Sequence, residues 1–475
     1  MLKNYITSKL IDNLAFQPTQ SQEKLIDKLS TFIAKGDEQE IMMIKGYAGT
    51  GKTTLVNSLV HTLRELKQRA VLMAPTGRAA KVLYSYTGKT AWTIHKKIYR
   101  QKTGSDGLGT FVLDRNLYKD TYFIVDEASM IGSARYDSLF GTGDLLADLL
   151  HYVNNEQHCR LILIGDTAQL PPVGLDVSPA LDVYELGARG YSVIEHTLTD
   201  IVRHQKDSGI LYNATGVREL IRRSDPQIPS LLMNDFKDID RINGGDMLEL
   251  LSDSYDQYGE EGTIVVTRSN KRANRFNTGI RGQILWKEEQ ISRGDLLMVV
   301  KNNYFWKDED RNPDFIANGD IVRIERVMGF QELYGYHFAD VRISLLDYGD
   351  LELDVTLNLD VLEIDGPSLT TGQMRELYAH IMEDYPDLTT RKRRSEQIMK
   401  NPYFNALQVK FAYAVTCHKA QGGQWPSVFL DQGYFTDAML SVDYLRWLYT
   451  AMTRATEHLY LVNFTPQFFP GMLEE

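Results

Sequence analysis

GYAGTGKT, residues 46–53, lies between the apolar run IMMIK (41–45) and a helical pattern, TTLVNSLVHTL (53–63). It matches G-x-x-x-x-G-K-[ST] in the strand–loop–helix setting that a phosphate cradle requires. Glycines let the backbone N–H groups converge on an anion at a helix N-terminus that already favours negative charge. The backbone from Gly46 through Ala48, Gly49, Thr50 and Gly51 to Thr54 is therefore expected to wrap a nucleotide's phosphates, with Lys52 reaching the β- and γ-phosphates and Thr53 ligating Mg²⁺.

Working outward, short wholly apolar runs alternate with helical patterns as far as about residue 205: IMMI (41–44), VLMA (71–74), FIVD (123–126) and LILIG (161–165). Runs of this kind read as parallel strands covered on both faces. A second such region begins at TIVV (263–266), resumes at VKFAYAV (409–415) and ends at LYLV (459–462). Between them, 294–364 carries β-type runs with Gly-Asp and Asn-Gly turns, as a small barrel would, and 369–400 reads as helical and polar. IYRQ (98–101) and FVLD (111–114) flank GSDGLG (104–109), a pattern for a hairpin or for a surface loop.

The chain has 475 residues, which at roughly 100–200 residues per domain suggests three or four domains. Its net charge of −11 argues against a protein that coats nucleic acid through bulk charge, while leaving room for a local basic channel. No apolar run approaches the ~20 residues that span a bilayer, and MLKNYITSKLIDNLAF (1–16) lacks a signal peptide's apolar core. The two cysteines, Cys159 and Cys417, support neither a disulfide framework nor a zinc site. A cytoplasmic, reducing setting without membrane association is expected.

Two further strand ends carry chemistry. FIVDE (123–127) closes an apolar strand on two carboxylates, with Asp126 placed to hold Mg²⁺ through water and Glu127 to polarise an attacking water. LIGDTAQLPPV (163–173) ends on Asp166 and Gln169; the glutamine either bonds the γ-phosphate and its water or faces solvent on a proline-stiffened loop.

The ordered set resembles the superfamily 1 helicases of the 5′→3′ class, the RecD/Dda/Pif-type group. PTGRAAKVL (75–83) and TAWTIHKKI (90–98) look like that family's DNA-contacting motifs, and DEASM (126–130) and GDTAQLPPV (165–173) like its ATPase motifs. LTDIVR (198–203) resembles the segment that supplies an arginine to the γ-phosphate. GDLLMVVKNNY (294–304) with NGDIVRI (318–324) is similar to the pattern before the inserted barrel. AVTCHKAQGGQW (414–425) resembles the motif that couples DNA to ATP, and LYTAMTRATEHLYLV (448–462) the final motif with its arginine finger.

The resemblance implies an α/β fold: two RecA-like doubly wound parallel-sheet motor domains with an inserted β-hairpin and an inserted small β-barrel domain. The expected divisions are 1–205 for the first motor with a hairpin wedge at 97–116, 206–293 and 409–475 for the second, and 294–408 for the barrel and its helical segment. It implies a DNA-stimulated ATPase using ATP and Mg²⁺ and acting as a monomer on single-stranded DNA and its duplex junctions. Single-strand-binding or replication and repair proteins are the partners it suggests. Gln22 would read adenine, an assignment supported by Leu25, Ile26, Leu29 and Ile33 following at helical spacing; Arg203 and Arg454 would approach the γ-phosphate from the second motor. For DNA it implies Pro75, Thr76, His95, Thr416, His418, Lys419 and Gln421, with Thr267 and Asn270 of VVTRSN as further backbone contacts. Short polar groups of this kind position a strand without reading its sequence. Trp92, Tyr304 and Trp306 have two readings, base stacking or ordinary packing.

Three features depart from the pattern. His204 follows Arg203 where the family often has Gln, Cys417 stands within TCHKAQG, and RKRR (391–394) reads as a solvated face or an auxiliary DNA contact. Pro386-Asp387 is followed by Glu396-Gln397-Ile398 without the lysine of a P-D…[DE]-x-K nuclease site, so no nuclease activity is expected. Alternatives remain: a translocase that strips proteins from single strands without processive unwinding, a DNA-binding subunit with a silent ATPase, or a small-molecule P-loop kinase. The last leaves the second sheet region and its arginine motif without a purpose.

Overall fold

The structure, a computed structural model, describes residues 2–35, 37–102, 110–132, 141–155, 158–201, 207–224, 226–233, 235–306, 316–388 and 390–469. In chain order the first motor supplies β1 (Glu40–Gly46), β2 (Arg69–Ala74), β3 (Ala91–Thr93), the hairpin strands β4 (Tyr99–Lys102) and β5 (Thr110–Leu113), then β6 (Thr121–Val125), β7 (Arg160–Gly165) and β8 (Ser192–Leu198). Six of them form a parallel sheet in the order β3-β2-β6-β7-β1-β8. The apolar runs are explained by burial on both faces. Ile41, Met43, Phe123 and Leu161 pack into one core, while Met42, Ile44, Ile124 and Ile162 pack into the opposite one. Because β7 lies beside β1 and β6 beside β7, the acidic ends of β6 and β7 arrive next to the glycine-rich loop that follows β1. A parallel sheet gathers ligands at these carboxyl ends.

The second motor begins with β9 (Ile239–Ile242) and β10 (Thr263–Thr267). The chain then leaves to form a closed barrel of β11 (Leu296–Val299), β12 (Ile321–Leu333), β13 (Tyr336–Leu345), β14 (Leu351–Asn358) and β15 (Leu407–Phe411). It returns as β16 (Ala414–Thr416), β17 (Trp425–Asp431) and β18 (Ala455–Val462), completing a parallel sheet in the order β16-β10-β17-β18-β9. The tight β12–β13 turn places Tyr334 and Gly335 at φ 57° and 76°, the left-handed pair that a two-residue hairpin needs. Helices Thr371–Met382 and Arg391–Ile398 form the polar segment; Leu377, Ile381 and Ile398 bury it against Phe338 of the barrel.

One expected strand divides in two. VKFAYAV does not run into the second motor as a unit: Val409–Phe411 pair with β11 in the barrel, and only Ala414–Thr416 join the motor sheet. The break is fixed by Tyr413, fully buried, whose hydroxyl donates to Asp295 (3.0 Å) and accepts from Leu296 N–H (3.2 Å). Arg281 clasps the same buried carboxylate at 2.9 and 3.1 Å. Uniform apolarity conceals such a switch, because both strands are buried. The hairpin is present at its base, where Tyr99 pairs with Leu113 and Lys102 with Thr110; its tip, 104–109, lies outside the described residues.

Candidate ATP site and nucleic-acid interface

The loop after β1 turns through Gly49 (φ 75°) and Gly51 (φ 81°), conformations that cost a side-chain-bearing residue dearly. Gly51 is the N-cap of helix Lys52–Glu65 and offers no side-chain cap, so the helix presents its first N–H groups to whatever anion sits in the loop. A Cβ on Gly46 would lie 2.9 Å from the Lys52 side chain. Lys52 Nζ donates to the carbonyls of Gly46 (2.6 Å) and Tyr47 (2.9 Å) and lies 3.9 Å from Asp166. Thr50 is buried, Ala48 and Thr54 are half-buried, and Thr53 is exposed at the head of the helix. Gln22 is fully buried: its Nε2 donates to Thr50 O (3.0 Å) and its Oε1 accepts from Thr19 N (2.9 Å). The amide expected at adenine therefore also ties the preceding helix to the loop.

Beside the loop stand the carboxylates. Asp126 accepts from the Tyr86 hydroxyl (2.7 Å) and from Glu127 N–H (2.8 Å). Glu127 adopts φ 52°, a conformation rare for a residue with a side chain. Burial, then the charge of Asp126, raises its pKa, opposed by Arg454 and Lys52. A carboxylate raised toward working pH suits a general base. Gln169 is 6% exposed and its Oε1 has no hydrogen-bond partner among the described residues. A buried acceptor left open in this way is costly unless a ligand or water completes it, which favours the cleft-facing reading over the solvent-facing one.

The unfilled helix N-terminus, the open Gln169 oxygen and the donor set of Lys52 and Arg454 fit a nucleoside triphosphate. Thr53 and Asp126 fit Mg²⁺, which takes one or two protein ligands and completes its shell with phosphates and water. Among the described residues no three His, Cys, Asp or Glu side chains gather as a metal cage.

The second motor closes over this site. Arg454 is 3% exposed and donates to Thr450 O (2.9 Å), Gly423 O (3.1 Å) and Thr453 Oγ1 (3.2 Å). Three residues that sequence reasoning missed also bind here. Tyr449, on helix Val442–Met452, accepts from Ala48 N–H (2.8 Å) and donates to Asp166 (2.7 Å), bridging loop and strand end from the opposite domain. Arg218 sets its guanidinium 4.4 Å from the centre of the Tyr47 ring. Tyr86 holds Asp126 from the helix that begins at Gly77. Tyr449 lies inside the quoted LYTAMTRA; Tyr86 and Arg218 carry no local signal. Arg203 lies outside the described residues, as does His204.

On the other face, Thr76 caps helix Gly77–Thr87 by accepting from Ala79 N (3.2 Å). Gly422 of the second motor presses against this cap: at φ 74°, a Cβ there would meet Ala79 at 2.8 Å and Thr76 Oγ1 at 3.1 Å. Arg78 stacks over Trp425 at 4.6 Å across the same seam. Pro75, Thr76 and Asn270 are half-buried and His418 is exposed, so all four reach solvent. Lys419 is half-buried, and desolvation lowers its pKa to about 8. His95 is half-buried with its pKa lowered by burial to about 4, so its imidazole is neutral at pH 7.

Some expected contacts are placed differently. Thr267 is fully buried, with its hydroxyl on the carbonyls of Ser269 (3.1 Å) and Val415 (3.4 Å); it secures the end of β10 and does not face a strand. Gln421 is buried and donates to Leu170 O (2.7 Å), tying the coupling segment to the residue after Gln169. Thr416 is 8% exposed at the start of helix Cys417–Ala420. Trp306 joins the barrel, its Nε1 donating to Asn405 O (2.9 Å), and Tyr304 packs on Phe111 of the hairpin at 4.2 Å. Both take the packing role. Cys417 is buried with its pKa pushed up to about 12, and therefore inert. Among the described residues no helix is long and apolar enough to cross a membrane.

A protein-family model described as an AAA domain matches residues 19–219, and one described as a UvrD-like helicase C-terminal domain matches 411–462. The chain is similar to the ATP-dependent RecD2 DNA helicase of Deinococcus radiodurans, 24% identical over 455 residues, covering 93% of this chain and 50% of that protein. The chain thus spans half the length of that relative. It is also 24% identical over 306 residues to the ATP-dependent DNA helicase dda of phage T4, covering 61% of this chain and 63% of that protein. Pif1 helicase from Bacteroides, solved in complex with ADP-AlF3 and ssDNA, aligns over 96% of this chain and 94% of that one at 14% identity and a TM-score of 0.48. With one family model on the first motor, a second on the returning half of the other and a closed barrel spliced between, the chain resembles the superfamily 1 helicases of the RecD/Dda/Pif type.

Proposed function

We propose that this chain is an ATP-driven motor that translocates 5′ to 3′ on single-stranded DNA and, as a monomer, unwinds duplex at the junction. One observation carries the reading. The fingertip arginine that approaches Glu127 also binds Gly423, and the neighbouring Gly422 rests on Thr76, which caps the helix of the first DNA motif. Hydrolysis and grip thus share one continuous set of contacts. In this reading Lys52 and Arg454 (with Arg203) stabilise phosphoryl charge, Glu127 activates water, Gln169 senses the γ-phosphate, and Gln22 contacts adenine. Mg²⁺ held by Thr53 and Asp126 would neutralise phosphate charge. Pro75, Thr76, His95, Asn270, His418 and Lys419 hold the DNA backbone. The working units are 1–205, then 206–293 with 412–475, and 294–411, the last boundary moved by three residues because Val409–Phe411 close the barrel.

The test is ATP hydrolysis with and without single-stranded DNA, then with single-stranded RNA, followed by unwinding of 5′- and 3′-tailed duplexes. Strong stimulation by DNA and unwinding of the 5′-tailed substrate are expected. Hydrolysis indifferent to nucleic acid refutes the reading, and DNA binding without hydrolysis selects the silent scaffold.

Two further outcomes follow. Deleting 104–109 is expected to abolish strand separation while DNA-stimulated hydrolysis stays within about twofold; a parallel loss of both makes the hairpin structural. Lys419 is charged below its pKa of about 8 and neutral above it. Affinity for single strands is therefore expected to weaken as pH rises from 7 to 9, and Lys419→Arg to flatten that profile. Equilibrium binding at fixed ionic strength checks both.

A further inference from the structure

A groove of about 680 Å³ runs along the open edge of the first sheet, from the turn after helix Lys52–Glu65 to β3. Arg64, Lys67, Arg69 and Lys89 line it, and no lining residue is acidic. Lys67, Arg69 and Lys89 have no carboxylate within 4.0 Å among the described residues. The nearby Glu65 is taken by Lys9 (3.2 Å). Three cations without a carboxylate partner, beside Arg64 in one groove, are conspicuous in a chain of net charge −11. A fifth, Lys97, stands over the Trp92 ring at 5.2 Å and donates to the Tyr118 hydroxyl (2.6 Å) at the groove's upper end.

The location points to the occupant. Thr90 and Trp92 line both this groove and the cleft beneath the barrel, so the groove continues from the TAWTIHKKI segment. β4 of the hairpin starts one residue after Ile98, and Tyr118 follows β5 closely. The groove thus begins at the foot of the hairpin, where the arms of a junction diverge. We propose that it is a second DNA site, binding phosphodiester backbone beyond the junction and outside the single-strand track. This rests on the motor reading above. Point cations on flexible stems suit phosphates, and binding by them releases counterions.

The test is the triple variant Lys67→Ala/Arg69→Ala/Lys89→Ala, all exposed and none in the ATP site. Binding is measured to a forked DNA, to a 5′-tailed duplex without a displaced arm, and to a single-stranded oligonucleotide, between 50 and 200 mM salt. Losing three contacts at a slope of ~0.9 each on duplex means that wild type should lose about 40-fold more affinity than the variant across that range. For a displaced single strand, at ~0.7 each, the difference is about 20-fold. Loss on the tailed duplex assigns the duplex arm; loss confined to the fork assigns the displaced strand. Hydrolysis stimulated by single strands, and the concentration giving half its maximum, should be unchanged. Wild-type affinity and salt slope on fork and tailed duplex alike overturn the proposal. Should wild-type hydrolysis ignore single-stranded DNA, the motor reading falls, while the fork comparison still decides the groove.

Discussion

Arg454→Ala is expected to lower the turnover number for ATP by about 10³–10⁵-fold, the range for arginine fingers in phosphoryl transfer. The guanidinium is buried in the cleft, near enough to Glu127 to lower its pKa. In the proposed role it meets a nucleotide only as the transition state gathers charge, so kcat should fall with little change in KM. The side chain also satisfies the carbonyls of Thr450 and Gly423. Leaving buried acceptors open costs about 1–3 kcal/mol, so a lower melting temperature should accompany the lost turnover. Arg454→Lys separates the two effects: it keeps the charge but cannot reproduce the three-point hold. Steady-state kinetics and thermal melts of both variants check this, and near-normal kcat in the alanine variant removes the finger assignment.

Lys52→Ala should reduce hydrolysis by roughly 10³-fold, the upper range for removing one preorganised donor from developing charge. Its ammonium is held by two loop carbonyls at 2.6 and 2.9 Å, already aimed across the loop. The backbone cradle survives the substitution, because the loop's shape is set by Gly49 and Gly51. Binding of single-stranded DNA should persist while stimulated hydrolysis disappears. Substantial residual hydrolysis would mean that another cation serves the phosphates.

What the sequence disclosed was whatever is local. The loop at 46–53, the acidic ends of β6 and β7 and the two buried sheets are each written in a few consecutive residues, through glycine placement and apolar runs. The barrel was legible from its turns, but its last strand was not, because Val409–Phe411 and Ala414–Thr416 are equally apolar and only Tyr413 on Asp295 parts them. Thr267 shows the complementary failure. A threonine at a strand end looks like a surface donor until its hydroxyl is found on two carbonyls of its own domain. Tyr86, Arg218 and Tyr449 act on partners 40, 171 and 401 residues away, beyond the reach of any local spacing rule.

Tyr449 has a thermodynamic corollary. Its hydroxyl joins the phosphate loop to Asp166 from the last turn of helix Val442–Met452, which Arg454 closely follows. The geometry of the loop is therefore a property of both domains together. A strand that stabilises one disposition of the motors must alter nucleotide affinity by some factor, and the nucleotide must alter strand affinity by that same factor. Tyr449→Phe, which removes one oxygen, should shrink both factors equally.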